Sequence, residues 1–403
     1  MQRRAAIGLM GGMVLGAARG DGAARKPIAV TDRALKLHYD SLVCDGHNDL
    51  PWELRDKGVK TFEDKDLLAG IKDGHTDLPR LKKGGIGWQY WSAYVPSSTV
   101  RKKVAARWTL EQIDLIHQMV ERYPKNFEMA STADDVVRIR KAGKIASMIG
   151  VEGGHSIEES LPILRDYYRL GVRYMTLTHS ENTPWADSCT DKPNCNGLSK
   201  FGEEVVREMN RIGMQVDISH VSPATMKAAI KISKAPVIFS HSSTYALCEH
   251  VRNVPDDVLK MLPANGGVVM INFFSGFLTP EAARATKDMF AVSRKLEKQF
   301  PNEKDLRAAM QQYRRENPYP PGDAHTVLDH IEHVVKLAGI DHVGLGSDYD
   351  GITKTPVQMD DVSTYPVLTQ GMLDRGYSEA DVRKLLGENA LRALRGAEAA
   401  KRA

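Results

Sequence analysis

The chain has 403 residues, of which 42% are hydrophobic and 26% are charged. This balance is typical of a globular protein and excludes a wholly disordered, collagen-like or coiled-coil chain. Lysine and arginine exceed aspartate and glutamate by only four, 55 against 51, so the charge does not indicate a nucleic-acid-binding surface. The length allows one large domain or two average ones.

The N-terminal segment 1–24 predicts an export signal. Arg3 and Arg4 precede an uncharged run, 5–18, of mostly small and apolar residues. This run is shorter than the roughly 20 residues that cross a bilayer, and the pattern is typical of a cleaved signal peptide. The paired arginines are compatible with the twin-arginine type. We therefore expect an exported protein, periplasmic or secreted, whose mature chain is a single domain over 25–403.

Four cysteines are too few for a fold built on disulfides. An exported protein meets an oxidising environment, where Cys189 and Cys195 could form a disulfide across their Pro- and Asn-rich loop. Cys44 and Cys248 are expected to be buried free thiols.

Short apolar runs predict eight β-strands, and amphipathic patterns predict helices between most of them. The runs are continuous and rich in aliphatic residues, as in parallel strands buried on both faces. The predicted strands are 42–47, 86–95, 145–151, 172–178, 214–219, 236–240, 267–273 and 343–347. The clearest predicted helices are 103–121, 132–142, 157–169, 201–212, 223–232 and 323–338.

This alternation favours the α/β class and a (β/α)8 TIM barrel. The alternative is a doubly wound sheet, which usually carries a glycine-rich turn after its first strand. The segment 45–52, DGHNDLPW, has no such turn. The charged stretch 280–318 is longer than one crossover requires and predicts an inserted pair of helices. The tail 378–400 predicts one or two closing helices.

Histidines and carboxylates follow six of the eight predicted strands. In a TIM barrel these strand ends meet at one mouth. The residues are His47, Asp49, Glu152, His179, His220, His241 and Asp348. Any one of them could be an ordinary cap or part of a buried polar network in a purely structural barrel. Seven unpaired groups in one cavity would carry a large desolvation penalty, and a metal centre removes it.

The ligand types favour zinc, with iron, cobalt and manganese also compatible. One tetrahedral zinc takes fewer ligands than this set offers, which indicates two ions. Side chains alternate along a strand, so His47 and Asp49 point to the same side. Glu152 has two oxygens and could bridge two ions, and His220 and His241 end adjacent strands.

The motifs around these residues resemble the membrane (renal-type) dipeptidases, metallopeptidase family M19, among the amidohydrolase-like barrels. The blocks span roughly 40–370 in the family's order. They are DGHNDLPW (45–52), GVEGGHSI (150–157), LTHSENTPWADS (177–188), NGLSKFGEEVVREMNRIGMQVDISHVS (196–222), FSHSS (239–243), VRNVPDD (251–257) and HVGLGSDYDG (342–351). The segments around 274–280 and 280–318 match less clearly.

The resemblance implies a zinc-dependent dipeptidase with two ions per subunit and a bridging hydroxide. His47 and Asp49 would hold the first ion, His220 and His241 the second, and Glu152 both.

The resemblance also implies roles toward the substrate. His179 would contact the scissile carbonyl and stabilise the oxyanion, Asp348 would be the acid/base, and Arg252 would bind the substrate carboxylate. Substrates with a C-terminal D-residue are included in what the resemblance implies, and a homodimer is a family-level expectation.

Two alternatives stay open. The same centre could hydrolyse another amide, such as a lactam or a peptide natural product. The second alternative is a non-catalytic or biosynthetic homologue that binds or processes a natural-product peptide. Such a homologue would be expected to lack a metal ligand or Asp348, and this sequence retains them all.

The mammalian members carry a C-terminal lipid-anchor signal, whereas this sequence ends in RGAEAAKRA, so no stable membrane anchor is expected.

Overall fold

The computed structural model describes residues 25–58, 66–287, 289–300 and 302–401. The predicted signal segment 1–24 lies outside them. All strand pairs in the sheet are parallel. The strands are β1 (Val43–Asn48), β2 (Ile86–Tyr94), β3 (Phe127–Met129), β4 (Ile145–Glu152), β5 (Val172–Thr176), β6 (Gln215–Asp217), β7 (Ile238–Phe239), β8 (Val268–Ile271) and β9 (Val343–Leu345).

Eight of these strands form a barrel in the order β1-β2-β4-β5-β6-β7-β8-β9, and β3 pairs beside the first half of β4. The chain after β9 returns to β1 through a parallel bridge between Asn48 and Tyr349. There the Asp348 N–H donates to the His47 carbonyl at 3.1 Å, and the Asp49 N–H donates to the Tyr349 carbonyl at 2.9 Å. The predicted TIM barrel is confirmed, because a doubly wound sheet would leave these edges apart.

The helices surround the barrel, and most predicted helices are confirmed within one or two residues. In the described residues the α-helices are α1 (Asp32–Asp40), α2 (Leu50–Asp56), α3 (Leu78–Lys83), α4 (Ala105–Arg122), α5 (Ala133–Lys141), α6 (Leu161–Arg169), α7 (Lys200–Ile212), α8 (Pro223–Ile232), α9 (Asp256–Leu259), α10 (Leu262–Asn265), α11 (Ser275–Leu278), α12 (Pro280–Thr286), α13 (Met289–Gln299), α14 (Glu303–Glu316), α15 (Ala324–Ala338), α16 (Tyr365–Asp374), α17 (Glu379–Arg383) and α18 (Asn389–Ala400). Within this part of the chain, no helix is both long and apolar enough to cross a bilayer.

The insertion contains three helices, α12 to α14, where the sequence predicts a pair. Thr279 caps the first of them, since its hydroxyl accepts the Ala282 N–H at 3.1 Å, and Pro280 is the first helical residue. The prediction for 157–169 is wrong at its start, because Ser160 caps α6 and the residues before it form a 3-10 turn.

Strands β6 and β7 are shorter than predicted because a side chain takes over their backbone hydrogen bonds. Asp217 Oδ1 accepts the N–H groups of Ser219 at 3.1 Å and Ser240 at 2.9 Å. The chain therefore leaves the regular ladder just before His220 and His241. The short strand β3 is missed by the sequence pattern, since three residues are too few to show a period.

Cys189 and Cys195, between which the sequence allows a disulfide, are both free thiols in the structure. The Cys195 thiol instead contacts Asp187 Oδ1 at 3.4 Å and the Gly197 carbonyl at 3.2 Å. Asp187 also accepts the backbone N–H groups of Asn194, Cys195 and Gly197, and so organises the loop without a covalent bridge. Cys44 and Cys248 are buried free thiols, as predicted.

Candidate metal centre

The barrel brings the predicted metal-ligating and acid/base side chains to one mouth. The ligand atoms of three overlapping groups lie within 4.8 Å of one another. These groups are His47, Asp49 and Glu152; Glu152, His220 and His241; and His47, His241 and Asp348. The predicted acid/base Asp348 is thus within reach of the ligand nitrogens.

Glu152, the last residue of β4, lies at the centre of this cluster. Its Oε1 is 3.0 Å from His220 Nε2 and 3.4 Å from His241 Nε2. Its Oε2 is 3.6 Å from His47 Nε2, which is itself 3.3 Å from Asp49 Oδ2. The two oxygens therefore face two different sets of ligands, which is the arrangement that a bridging carboxylate requires.

The backbone at the mouth is strained. His220 and Asp348 both have φ 64°, in the left-handed region that costs a non-glycine residue about 1–3 kcal/mol. Gly351 faces two of the carboxylates, where a Cβ would overlap Asp49 Oδ2 and lie 2.7 Å from Asp348 Oδ1. The backbone therefore adopts unfavourable φ angles at His220 and Asp348, the positions that bring their side chains to the mouth of the barrel.

Hydrogen bonds behind two of the histidines orient their rings. His47 Nδ1 is 2.7 Å from the Tyr174 hydroxyl, which donates to the Gly46 carbonyl at 3.3 Å. A hydroxyl has one proton, so the tyrosine oxygen accepts from Nδ1–H and His47 Nε2 faces the cluster.

His241 has an equivalent partner. Its Nδ1 is 2.8 Å from Ser240 Oγ, and that hydroxyl donates to Asp217 Oδ2 at 2.7 Å. By the same argument His241 carries its proton on Nδ1 and presents Nε2 to the cluster. Such outer partners are typical of histidines that bind metals.

The protonation properties of the cluster follow from burial and mutual charge. Burial opposes ionisation of Glu152, but the charges of His47 and His179 and the contacts of its oxygens with His220 and His241 outweigh it and hold its pKa well below the usual value. Burial raises the pKa of Asp348 well above its ordinary range, against the opposing charge of His47. Burial lowers the pKa of both His220 and His241.

The donor set fits a metal ion. His47 Nε2 and Asp49 Oδ1 are buried without a hydrogen-bond partner among the described residues. His220 Nε2 and His241 Nε2 lie only 3.0 Å apart, although neither ring is readily protonated. Neutral imidazole nitrogens and carboxylate oxygens that converge in this way would be stabilised by a cation.

The cluster opens into a cavity of about 790 Å³. His179 and Arg252 both line it. His179 Nε2 is 3.8 Å from Glu152 Oε1. The Arg252 side chain is buried, with one guanidinium nitrogen 3.3 Å from the His241 carbonyl oxygen and Nε unpartnered among the described residues. Both side chains can therefore reach a substrate at the centre.

Sequence reasoning missed other residues of the site. Asn272 donates to Asp348 Oδ2 at 2.8 Å. The Tyr94 ring lies 4.8 Å from the His179 ring and 5.0 Å from that of Trp52, centroid to centroid. Tyr94 is the last residue of β2 and Asn272 directly follows β8, the two barrel strands that contribute no histidine or carboxylate to the cluster. Their position at strand ends is the sequence signal that could have identified them.

Comparison with known proteins decides the family. The model of the membrane dipeptidase family, peptidase family M19, matches residues 31–403. The chain belongs to this family. Because this family consists of metal-dependent dipeptidases, the chain is assigned that activity, as its sequence motifs predict.

Individual relatives agree with this assignment. Dipeptidase verJ of Clonostachys rogersoniana is 42% identical over 376 residues, which cover 91% of this chain and 87% of that protein. The crystal structure of the probable dipeptidase PvdM from Pseudomonas aeruginosa shares the fold, with a TM-score of 0.78 at 23% identity over 91% of this chain and 98% of that one. A metallopeptidase from Rhodobacter sphaeroides, liganded with a phosphinate mimic of L-Ala-D-Ala, has a TM-score of 0.72 at 26% identity, covering 89% and 99% of the two chains.

Proposed function

We propose that this dipeptidase depends on zinc, holds two ions and accepts dipeptides with either an L- or a D-residue at the C-terminus. The observation that carries the proposal is the position of Glu152, whose two oxygens face His220 and His241 on one side and His47 on the other. When bound, the ions would supply Lewis acidity to the scissile carbonyl and to a water.

The ligand roles follow the two halves of the cluster. His47 and Asp49 would hold one ion, His220 and His241 would hold the other, and Glu152 would serve both. Tyr174 orients the His47 ring and Ser240 orients the His241 ring, so that each presents an Nε2 lone pair to the cluster.

The remaining polar side chains act on the substrate. Arg252 binds the terminal carboxylate, for which a guanidinium provides two parallel donors. His179 donates to the developing oxyanion from the side of the cavity beside Tyr94. Asp348 receives a proton from the attacking water and delivers it to the leaving amine, with Asn272 holding one of its oxygens.

The substrate proposal is supported by the relative from Rhodobacter sphaeroides, which was crystallised with a mimic of L-Ala-D-Ala. The test is release of free amino acid from L-Ala-L-Ala and L-Ala-D-Ala by zinc-loaded protein, together with metal content by mass spectrometry. We expect two equivalents of zinc and chelator-sensitive hydrolysis of both dipeptides.

The Glu152→Gln variant sharpens this experiment, and Glu204→Gln, at an exposed position on α7, is its matched control. We expect Glu152→Gln to lose zinc and activity, and Glu204→Gln to keep both. Retention of two zinc ions by Glu152→Gln would contradict the bridging role. Two bound ions without hydrolysis of any dipeptide would overturn the substrate assignment and favour another amide, such as a lactam or a peptide natural product.

We also propose that residues 1–24 direct export to the periplasm or the medium, and that the mature protein is a homodimer. Support for export comes from the basic and apolar pattern of the segment. Intact-mass measurement of protein from the exported fraction, with its sedimentation velocity, tests these points. A full-length monomer retained in the cytoplasm would contradict both export and the dimer.

A further inference from the structure

Helix α14 of the insertion forms part of the outer wall of the catalytic cavity. Arg307, Gln311 and Arg314 all line the cavity, and their spacing of four and three residues places them on one face of the helix. Arg307 forms an ion pair with Asp56 of α2. This pair attaches α14 to the barrel and holds the face with Arg314 toward the cavity.

Arg314 differs from the paired cations of the cavity. Lys57 is paired with Glu53, as Arg307 is with Asp56. Arg314 has no ion-pair partner in the described part of the chain, and its Nε is buried without a hydrogen-bond partner. The titratable group that acts on its charge is Tyr319, which is no carboxylate. The side chain is half-buried, and burial lowers its pKa, although a guanidinium stays charged in proteins.

Arg252 is the other arginine of the cavity without a carboxylate partner in the described residues. It lies beside the metal ligands, with a guanidinium nitrogen 3.3 Å from the carbonyl of His241, whereas Arg314 belongs to the insertion. The cavity therefore offers two guanidinium groups that have no carboxylate partner among the described residues. Burial of a guanidinium charge without an anionic partner is unfavourable, and a carboxylate of a bound ligand would reduce this desolvation cost.

We propose that Arg314 is a specificity-determining residue that binds a second carboxylate of the substrate, so that the enzyme prefers dipeptides with an aspartate or glutamate side chain. This inference rests on the proposed dipeptidase function. Arg252 takes the terminal carboxylate, and Arg314 takes the carboxylate of the side chain.

The test compares acidic dipeptides with their amides, which have nearly the same size. The substrates are L-Ala-L-Glu against L-Ala-L-Gln and L-Glu-L-Ala against L-Gln-L-Ala, with L-Ala-L-Ala as the reference. The proteins are wild type, Arg314→Met, Arg314→Lys and the matched control Arg315→Met, which removes an exposed arginine next along α14.

In wild type we expect kcat/KM for at least one acidic dipeptide to exceed that for its amide by about tenfold, the usual effect of one charged hydrogen-bonded pair. Arg314→Met should abolish this preference through KM, Arg314→Lys should restore part of it, and Arg315→Met should keep it. The exposed-site control Arg315→Met should also leave the hydrolysis of L-Ala-L-Ala unchanged.

Equal acid-to-amide ratios in wild type and Arg314→Met would overturn the inference while leaving the dipeptidase function intact. So would an equal loss of preference in Arg315→Met, because that would indicate only the general charge of the helix. Failure of wild type to hydrolyse any of the five dipeptides would instead overturn the dipeptidase function, and this inference with it.

Discussion

His330 in α15 is a buried neutral imidazole, and its protonation should destabilise the fold in mildly acidic solution. Its Nε2 lies 2.9 Å from the Leu278 carbonyl, which can only accept, so Nε2 carries the proton. Its Nδ1 lies 3.0 Å from the backbone N–H of Thr244, which can only donate, so Nδ1 must stay unprotonated. A second proton would break this contact inside the core.

The magnitude follows from the pKa difference between the folded and unfolded chains. Burial lowers the pKa of His330 from 6.5 to about 4. Between these values the unfolded chain binds more protons, so the free energy of unfolding decreases as the pH falls. The contribution of this ring is complete above about pH 6.5 and is lost toward pH 4. Between pH 7.5 and 4.5 it changes by roughly 2.5 kcal/mol.

The assay is urea unfolding of wild type and His330→Gln at pH 7.5 and 4.5, with the same metal concentration throughout. The variant should be less stable at pH 7.5 by about 1–3 kcal/mol, because buried hydrogen bonds are lost. At pH 4.5 the difference in free energy of unfolding between wild type and variant should change by roughly 2.5 kcal/mol in favour of the variant. Wild type loses the contribution of His330 at this pH, whereas the variant has no imidazole to protonate.

Asn389→Ala is the control for this assay. Its amide nitrogen is 2.7 Å from the Ile340 carbonyl and 2.8 Å from the Val343 carbonyl, and it does not titrate. Its loss of stability should be the same at both pH values. A His330→Gln deficit that is equally independent of pH would refute the reasoning.

Three further predictions concern the catalytic mouth. Gly351→Ala should abolish hydrolysis while the circular dichroism spectrum is unchanged, because a Cβ would overlap Asp49 Oδ2; an active variant would show that the carboxylates can move apart. Ser240→Ala should weaken metal binding by about 10–100-fold in competition with a chelator, because His241 loses the partner of its Nδ1; unchanged affinity would contradict the orienting role. Asp348→Asn should lower kcat by about 10²–10⁴-fold at unchanged metal content, since it removes the proposed proton carrier; loss of metal instead would make Asp348 a ligand.

The barrel, and the positions of the residues that cluster at its mouth, could largely be predicted from the sequence. Strands of a parallel barrel are buried on both faces, so they appear as continuous apolar runs whatever their neighbours are. The polar residue after each run must then lie at the mouth, as His47, Glu152 and His241 do. Cysteine spacing leaves a disulfide between Cys189 and Cys195 possible, but it does not show that Asp187 already organises their loop.

The contacts that join distant segments were decided only by the tertiary structure. Tyr174 orients His47 from 127 residues away, and Asn272 holds Asp348 from 76 residues away. Arg314 lines the cavity only because the insertion folds back over the mouth. The hydrophobic pattern shows how each segment is buried, and it predicted the strands and the positions of the candidate metal-binding residues. Which side chains then meet depends on the closure and packing of the barrel, which no local pattern encodes.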